Sequence, residues 1–217
     1  MDIKPQGTPS TPQNYGDGAY GYLRLVRTGA LAVARIHALG QEAAIRGKLF
    51  WGSNQTAGVA PGTSLGTSAA LAIYNPSGSG VAIVIWKLKL FLGSTPGTIG
   101  AGVIFGVDHS SQGTPGGTAI TPKPCLVGSG LSPAAAKVFE SATSLSAVSG
   151  TPTHTRPLWT IGALAAQATG SLVEDEIVTD GDIVVAPNSA FSIQEVGASG
   201  STPKLGYAIQ FEEVPYP

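Results

Sequence analysis

The chain has 217 residues and a mass of 21.9 kDa, enough for one large domain or two small ones; all-β sandwiches often use this length as one domain. Charged residues are only 12% of it and glycine contributes 30 positions, so a disordered polyelectrolyte and a Lys/Glu/Arg-rich helical bundle are excluded. A net charge of −1 argues against a strong non-specific nucleic-acid binder, yet the halves differ: residues 1–89 carry eight Lys/Arg against three Asp/Glu, residues 90–217 four against ten.

Residues 1–18 are rich in Pro, Gly, Thr and Gln and too polar to bury themselves. They read either as a disordered tail or as an extended arm lying across a neighbouring subunit. No apolar leader opens the chain. The most apolar run, residues 81–92, is broken by Lys87 and Lys89 and is too short to span a membrane as a helix. Synthesis in the cytoplasm and no membrane partner are therefore expected.

From Ala19 onward, β-branched and aromatic residues alternate and are punctuated by glycine, the pattern of strands. Residues 41–46 admit one helical turn, and Leu49-Phe50-Trp51 begins a strand. Residues 52–66 read as a polar loop. Residues 69–74 and 81–92 read as two arms of a hairpin about Asn75-Pro76-Ser77-Gly78-Ser79-Gly80. The second arm starts as a continuous apolar run, expected to be buried on both faces. It then alternates, with Trp86, Leu88, Leu90 and Leu92 on one face and Lys87 and Lys89 on the other. Further strands are expected over 99–107, 158–161, 183–185, 191–196 and 205–211. Residues 108–122 read as a loop, and Ser132 with Pro133 admits a short capped helix over 133–140. Roughly eight strands without regular helix–strand alternation indicate a sandwich or jelly roll.

Chemistry-bearing motifs are sparse. Gly62-Thr63-Ser64-Leu65-Gly66 has the spacing of a nucleophile elbow but lacks a strand before it and a helix after it. His37, His109 and His154 contain no His-X-His pair and are not expected to share a metal. The acidic residues of 174–182 read as a solvated turn, with a divalent-ion site as the other reading. Cys125, the sole cysteine, reads as a small buried strand residue. No cofactor and no catalytic constellation are expected.

Ile73-Tyr74-Asn75-Pro76-Ser77-Gly78-Ser79-Gly80-Val81 resembles virion proteins of tailed bacteriophages, in which a strand ending Tyr-Asn-Pro feeds a long apolar strand. Residues 183–193 are similar to the penultimate strand pair of a trimeric jelly roll, and Phe211-Glu212-Glu213-Val214-Pro215 to its closing strand. Together these blocks cover about a quarter of the chain. The resemblance implies an all-β, jelly-roll β-sandwich with an extended N-terminal arm: residues 1–18 the arm, 19–217 a single domain. It implies a non-enzymatic capsid decoration (cement) protein on the virion surface, with itself (as a homotrimer) and the major capsid protein as partners. The apolar strands offer Val81, Ile83, Ile85, Trp86, Phe191, Ile193 and Phe211 as trimer-interface residues, and the arm offers Pro5, Pro9, Pro12 and Tyr15 to the capsid. Similar jelly rolls occur in tail fibres and baseplates. The alternative is thus a module binding a host-surface glycan, with Trp51, Tyr74 and Trp159 as loop aromatics.

Overall fold

The structure, a computed structural model, describes residues 40–54, 58–59, 64–92, 102–131, 135–146, 155–161, 174–197 and 205–216. The expected arm with Pro5, Pro9, Pro12 and Tyr15, the strands expected over 19–37, His37 and His154 lie outside these residues.

A single helical turn, α1 (Gln41–Ile45), is followed by β1 (Leu49–Ser53), β2 (Ala69–Asn75), β3 (Val81–Leu92) and β4 (Gly102–Ser110). Next come β5 (Gly116–Ile120), β6 (Lys123–Pro124) and β7 (Lys137–Thr143). The chain closes with β8 (Thr155–Ile161), β9 (Glu174–Val185), β10 (Ser189–Gly197) and β11 (Leu205–Pro215). Two antiparallel sheets form a β-sandwich: a first sheet in the order β6-β1-β11-β3-β9 and a second in the order β5-β7-β2-β10-β4-β8. The pairing is nested, β1 with β11, β2 with β10, β3 with β9 and β4 with β8.

The period-two pattern explains which face each strand buries. Leu205, Tyr207, Ile209 and Phe211 of β11 point inward, as do Ile83, Ile85 and Leu88 of β3 and Phe191 and Ile193 of β10. The Phe50 and Phe211 rings stack in this interior with centroids 5.8 Å apart. Each such side chain contributes about 1.5–3 kcal/mol on leaving water, so this interior is the main source of stability.

Several elements differ from the sequence expectation. β2 and β3 do not form a hairpin: they lie in different sheets, and the Asn75–Gly80 turn crosses between layers. The reason is partner demand. All seven residues of β2 are buried, so β2 needs a neighbour on each edge and takes β7 and β10. The long β3 takes β11 and β9 instead. Asn75 locks this crossing. Its side-chain nitrogen donates to the carbonyls of Val81 (2.8 Å) and Val185 (2.9 Å), while its backbone carbonyl accepts from the Asn188 backbone amide (2.9 Å). One buried side chain thereby ties the β2–β3 crossing to the β9–β10 crossing.

Residues 133–140 do not form the expected helix where described: β7 occupies Lys137–Thr143, because the free edge of β2 offers a full ladder to a segment too short for stable helix. Within 108–122, β4 continues to Ser110 and β5 pairs with β7. Gly117 makes that pairing possible; at φ 110° a Cβ there would stand 2.7 Å from the Ser141 carbonyl oxygen. The acidic segment is not a turn but most of β9, an edge strand. β3 is not buried on both faces, since Val81 and Val84 are half-buried. A register shift against β11, where Phe211 pairs with Ile85 and Gln210 with Lys87, leaves Trp86 as an extra residue, so Leu88 rather than Lys87 follows Ile85 into the core. Opposite it, β9 carries positive φ at Asp180 (48°) and Gly181 (86°), and Thr179 Oγ1 donates to the Ile85 carbonyl.

The segment between β4 and β8 caps one side of the sandwich. β7 and β5 extend the second sheet beyond β2, and β6 extends the first beyond β1. This covers two edges that would otherwise present unpaired backbone groups. On the other side, β9 and β8 end the two sheets.

Candidate functional site

The residues expected at a trimer interface are mostly interior to one chain. Ile83, Ile85, Phe191, Ile193 and Phe211 are 0% exposed between the two sheets of a single copy. A side chain fully covered by its own chain has no surface for another, so these five are corrected from interface to core. Val81 and Trp86 are half-buried. The Trp86 indole nitrogen donates to Glu212 (3.0 Å), whose neighbour across the ladder is Val84, not a core residue. The bulge thus removes Trp86 from the face of Leu88 and Leu90 where alternation had placed it.

The expected loop aromatics are likewise strand residues. Tyr74 in β2 and Trp159 in β8 are buried. Trp51 in β1 is half-buried, with Lys89 Nζ 6.0 Å from its ring centroid. Ser64 and Gly66 lie in the connection to β2, with no helix after them, so no nucleophile elbow forms there. Cys125 is half-buried just beyond β6, not within a strand; its backbone amide donates to the Leu49 carbonyl, and burial pushes its thiol pKa up.

His109 is not in a loop. It sits in β4, 2% exposed, on the outer side of the second sheet beneath residues 144–146. Its Nε2 is 2.8 Å from Ser192 Oγ and its Nδ1 3.1 Å from the Ser146 carbonyl. The carbonyl requires a proton on Nδ1, which makes Nε2 the acceptor for the serine hydroxyl. This is the geometry of a serine–base pair, but Ser192 is 0% exposed and no substrate reaches it. Burial holds the imidazole pKa below its ordinary value, so the ring stays neutral. Gln194 extends the network, donating to Ser192 and accepting from the Gly66 amide at 2.8 Å. The arrangement pins the Gly66 segment and residues 144–146 to the sheet.

Within the acidic segment, Glu176 forms ion pairs. Glu176 meets Lys87 at 2.8 Å and Lys89 at 3.1 Å, and the Lys87 hydrogen bond, then that from Lys89, hold its carboxyl below the usual range. Among the described residues, no group of three or more His, Cys, Asp or Glu is placed to hold a metal.

Sequence reasoning missed one buried carboxyl. Glu195 follows Phe191 and Ile193 at period two and so points into the sandwich, where it is 4% exposed. Its Oε2 lacks a hydrogen-bond partner, as do the Tyr207 hydroxyl, the Trp159 indole nitrogen and Asn75 Oδ1. Desolvation lifts its pKa to about 7 and lifts that of Tyr207 well above its usual value, with the Glu195 charge adding to the latter. The signal was present: an acid in phase with two core residues.

The accessible chemistry lies at the lateral ends of the first sheet. At the β6 end, Thr121, Pro122, Lys123, Leu126, Val127 and Leu131 border an open groove of about 500 Å³. Val127 is 95% exposed, and Ile45 of α1 adds a further exposed apolar side chain. At the other end, β9 exposes Val178 and Val184 among Asp175, Asp180 and Asp182. No family model, curated protein or solved structure matches the chain.

Proposed function

We propose that this chain is a non-enzymatic virion structural protein of a tailed phage, a decoration protein that binds the major capsid shell as a homotrimer and stabilises the head. The observation that carries the reading is the strand order, β1-β11-β3-β9 opposite β2-β10-β4-β8. A long hairpin with arms β1–β4 and β8–β11, rolled so that successive pairs alternate between sheets, produces this order. We read this order as that of a jelly roll of two Greek keys, an architecture used by viral capsid proteins and also by lectins and cupins. Fold alone does not choose among those uses. The resemblance at residues 73–81 and 183–193 favours the virion, and the exposed apolar side chains at both ends of the first sheet suit a protein that works by contact. On a symmetric shell, weak contacts repeated many times give strong attachment.

The test is decoration of heads assembled without the protein. Purified chain is added to such heads, which are pelleted, imaged and heated. The expected result is stoichiometric density at symmetry-related positions and a higher temperature of head rupture. Bare heads at saturating protein would overturn the reading.

A further inference from the structure

The two lateral ends of the first sheet carry opposite charge. The β6 end exposes Arg46, Lys48 and Lys123, with Glu42 already paired to Arg46 at 2.5 Å. The β9 end exposes Asp175, Asp180 and Asp182, with Glu176 already neutralised by Lys87 and Lys89. Each end also bears apolar side chains in water. Of the eight large apolar residues exposed among the described residues, six lie at these ends: Ile45, Leu126, Val127 and Leu131 at one, Val178 and Val184 at the other. Charges alone are the ordinary protection of a sheet edge, but a protected edge has no need of exposed valines.

Four strand spacings separate β6 from β9, about 19 Å, roughly twice the screening length at 0.1 M salt. The two ends therefore do not neutralise each other within one copy. Nor does either end fit itself, since like charges would face one another. The remaining complement is the opposite end of a second copy, which is a head-to-tail contact.

We propose that copies of this chain associate head to tail, the basic, apolar end formed by α1, β6 and residues 125–131 of one copy seating on the acidic, valine-bearing edge of β9 in the next. The contact follows from the two surfaces; its closure as a ring of three rests on the homotrimer reading above. The groove beside Val127 receives the edge of β9, and Lys48 and Lys123 meet Asp175 and Asp182.

The test is absolute mass by light scattering after size exclusion on the full chain. The wild type is expected at three times the 21.9 kDa chain mass. The pair Asp175→Lys and Asp182→Lys, and separately the pair Lys48→Glu and Lys123→Glu, are each expected to weaken association at least about a hundredfold, leaving monomer. Asp180 is left alone because its φ of 48° suits Asp. Combining all four changes restores complementarity and is expected to restore the trimer, which a folding defect would not do. Val127→Asp, at a site 95% exposed, is expected to dissociate the ring with its fold intact. A wild-type trimer untouched by either reversed pair and by Val127→Asp would overturn the head-to-tail contact and leave the homotrimer standing. A wild type that stays monomeric at high concentration would overturn both, and head decoration is scored separately.

Discussion

The two ends of β10 treat buried polarity in opposite ways. At its start, the Asn75 amide nitrogen reaches the carbonyls of Val81 and Val185, and the crossings it ties are held together. Near its far end, Glu195 Oε2 and the hydroxyl of Tyr207 find no partner. The first end turns one amide nitrogen into a latch and leaves only the Asn75 Oδ1 beside it unpaired, whereas the second gains no bond to set against the desolvation cost of its groups. Equal burial therefore stabilises in one place and destabilises in the other, and what differs is whether backbone acceptors converge on the side chain.

The contrast is sharpest at Asn75. Asn75→Ala removes the side-chain donor to the buried Val185 carbonyl and one of two side-chain donors to Val81, which Ser79 Oγ still reaches at 3.1 Å, so a loss of about 1–3 kcal/mol is expected in urea denaturation. A loss below about 1 kcal/mol would mean that the crossings hold without the latch. Glu195 reads out the other end. Its pKa rises from an ordinary 4.5 to about 7 in the folded state, so between these values only the unfolded chain ionises. Stability attributable to this group is full below pH 4.5, falls as pH rises, and levels off above about 7. Each pH unit of that window costs about 1.4 kcal/mol at most. Glu195→Gln is expected to match wild type at pH 4 and exceed it by about 1–3 kcal/mol at pH 8; equal melting curves at pH 8 would contradict the buried-charge account. The smallest effect belongs to the surface. Glu176→Gln removes the ion pairs to Lys87 and Lys89, and no more than about 1 kcal/mol is expected, vanishing in 0.5 M salt. A larger, salt-resistant loss would show that β9 depends on them.

Much of the fold was legible where one strand face meets water and the other does not. Leu205, Tyr207, Ile209 and Phe211 alternate with smaller or more polar residues, and they line the interior. Legibility failed where that contrast is absent. β9 shows no clean alternation, because it is an edge strand interrupted by the bulge at Asp180 and Gly181. The alanines before β7 suggested helix because local propensity favours it, whereas the open edge of β2 offered a ladder. His109 lies among Gly and Ser residues that carry no strand signal, yet Ala190 of β10 pairs with it across the ladder. The lateral ends were visible only as unequal charge in the two halves of the chain; which charges share an edge required the strand order.

Composition and period two by themselves determined that this is an all-β chain, with most of its strands and the apolar residues that must leave water. They could not say what those residues leave water for. Ile83, Ile85, Phe191, Ile193 and Phe211 are equally apolar whether covered by their own chain or by a second copy, because transfer from water depends on the area removed and not on what removes it. Only the nested pairing of distant strands decided that they face one another within one copy. It also left the apolar side chains available for contact at the two ends of a sheet, on elements whose sequences give no sign of being neighbours.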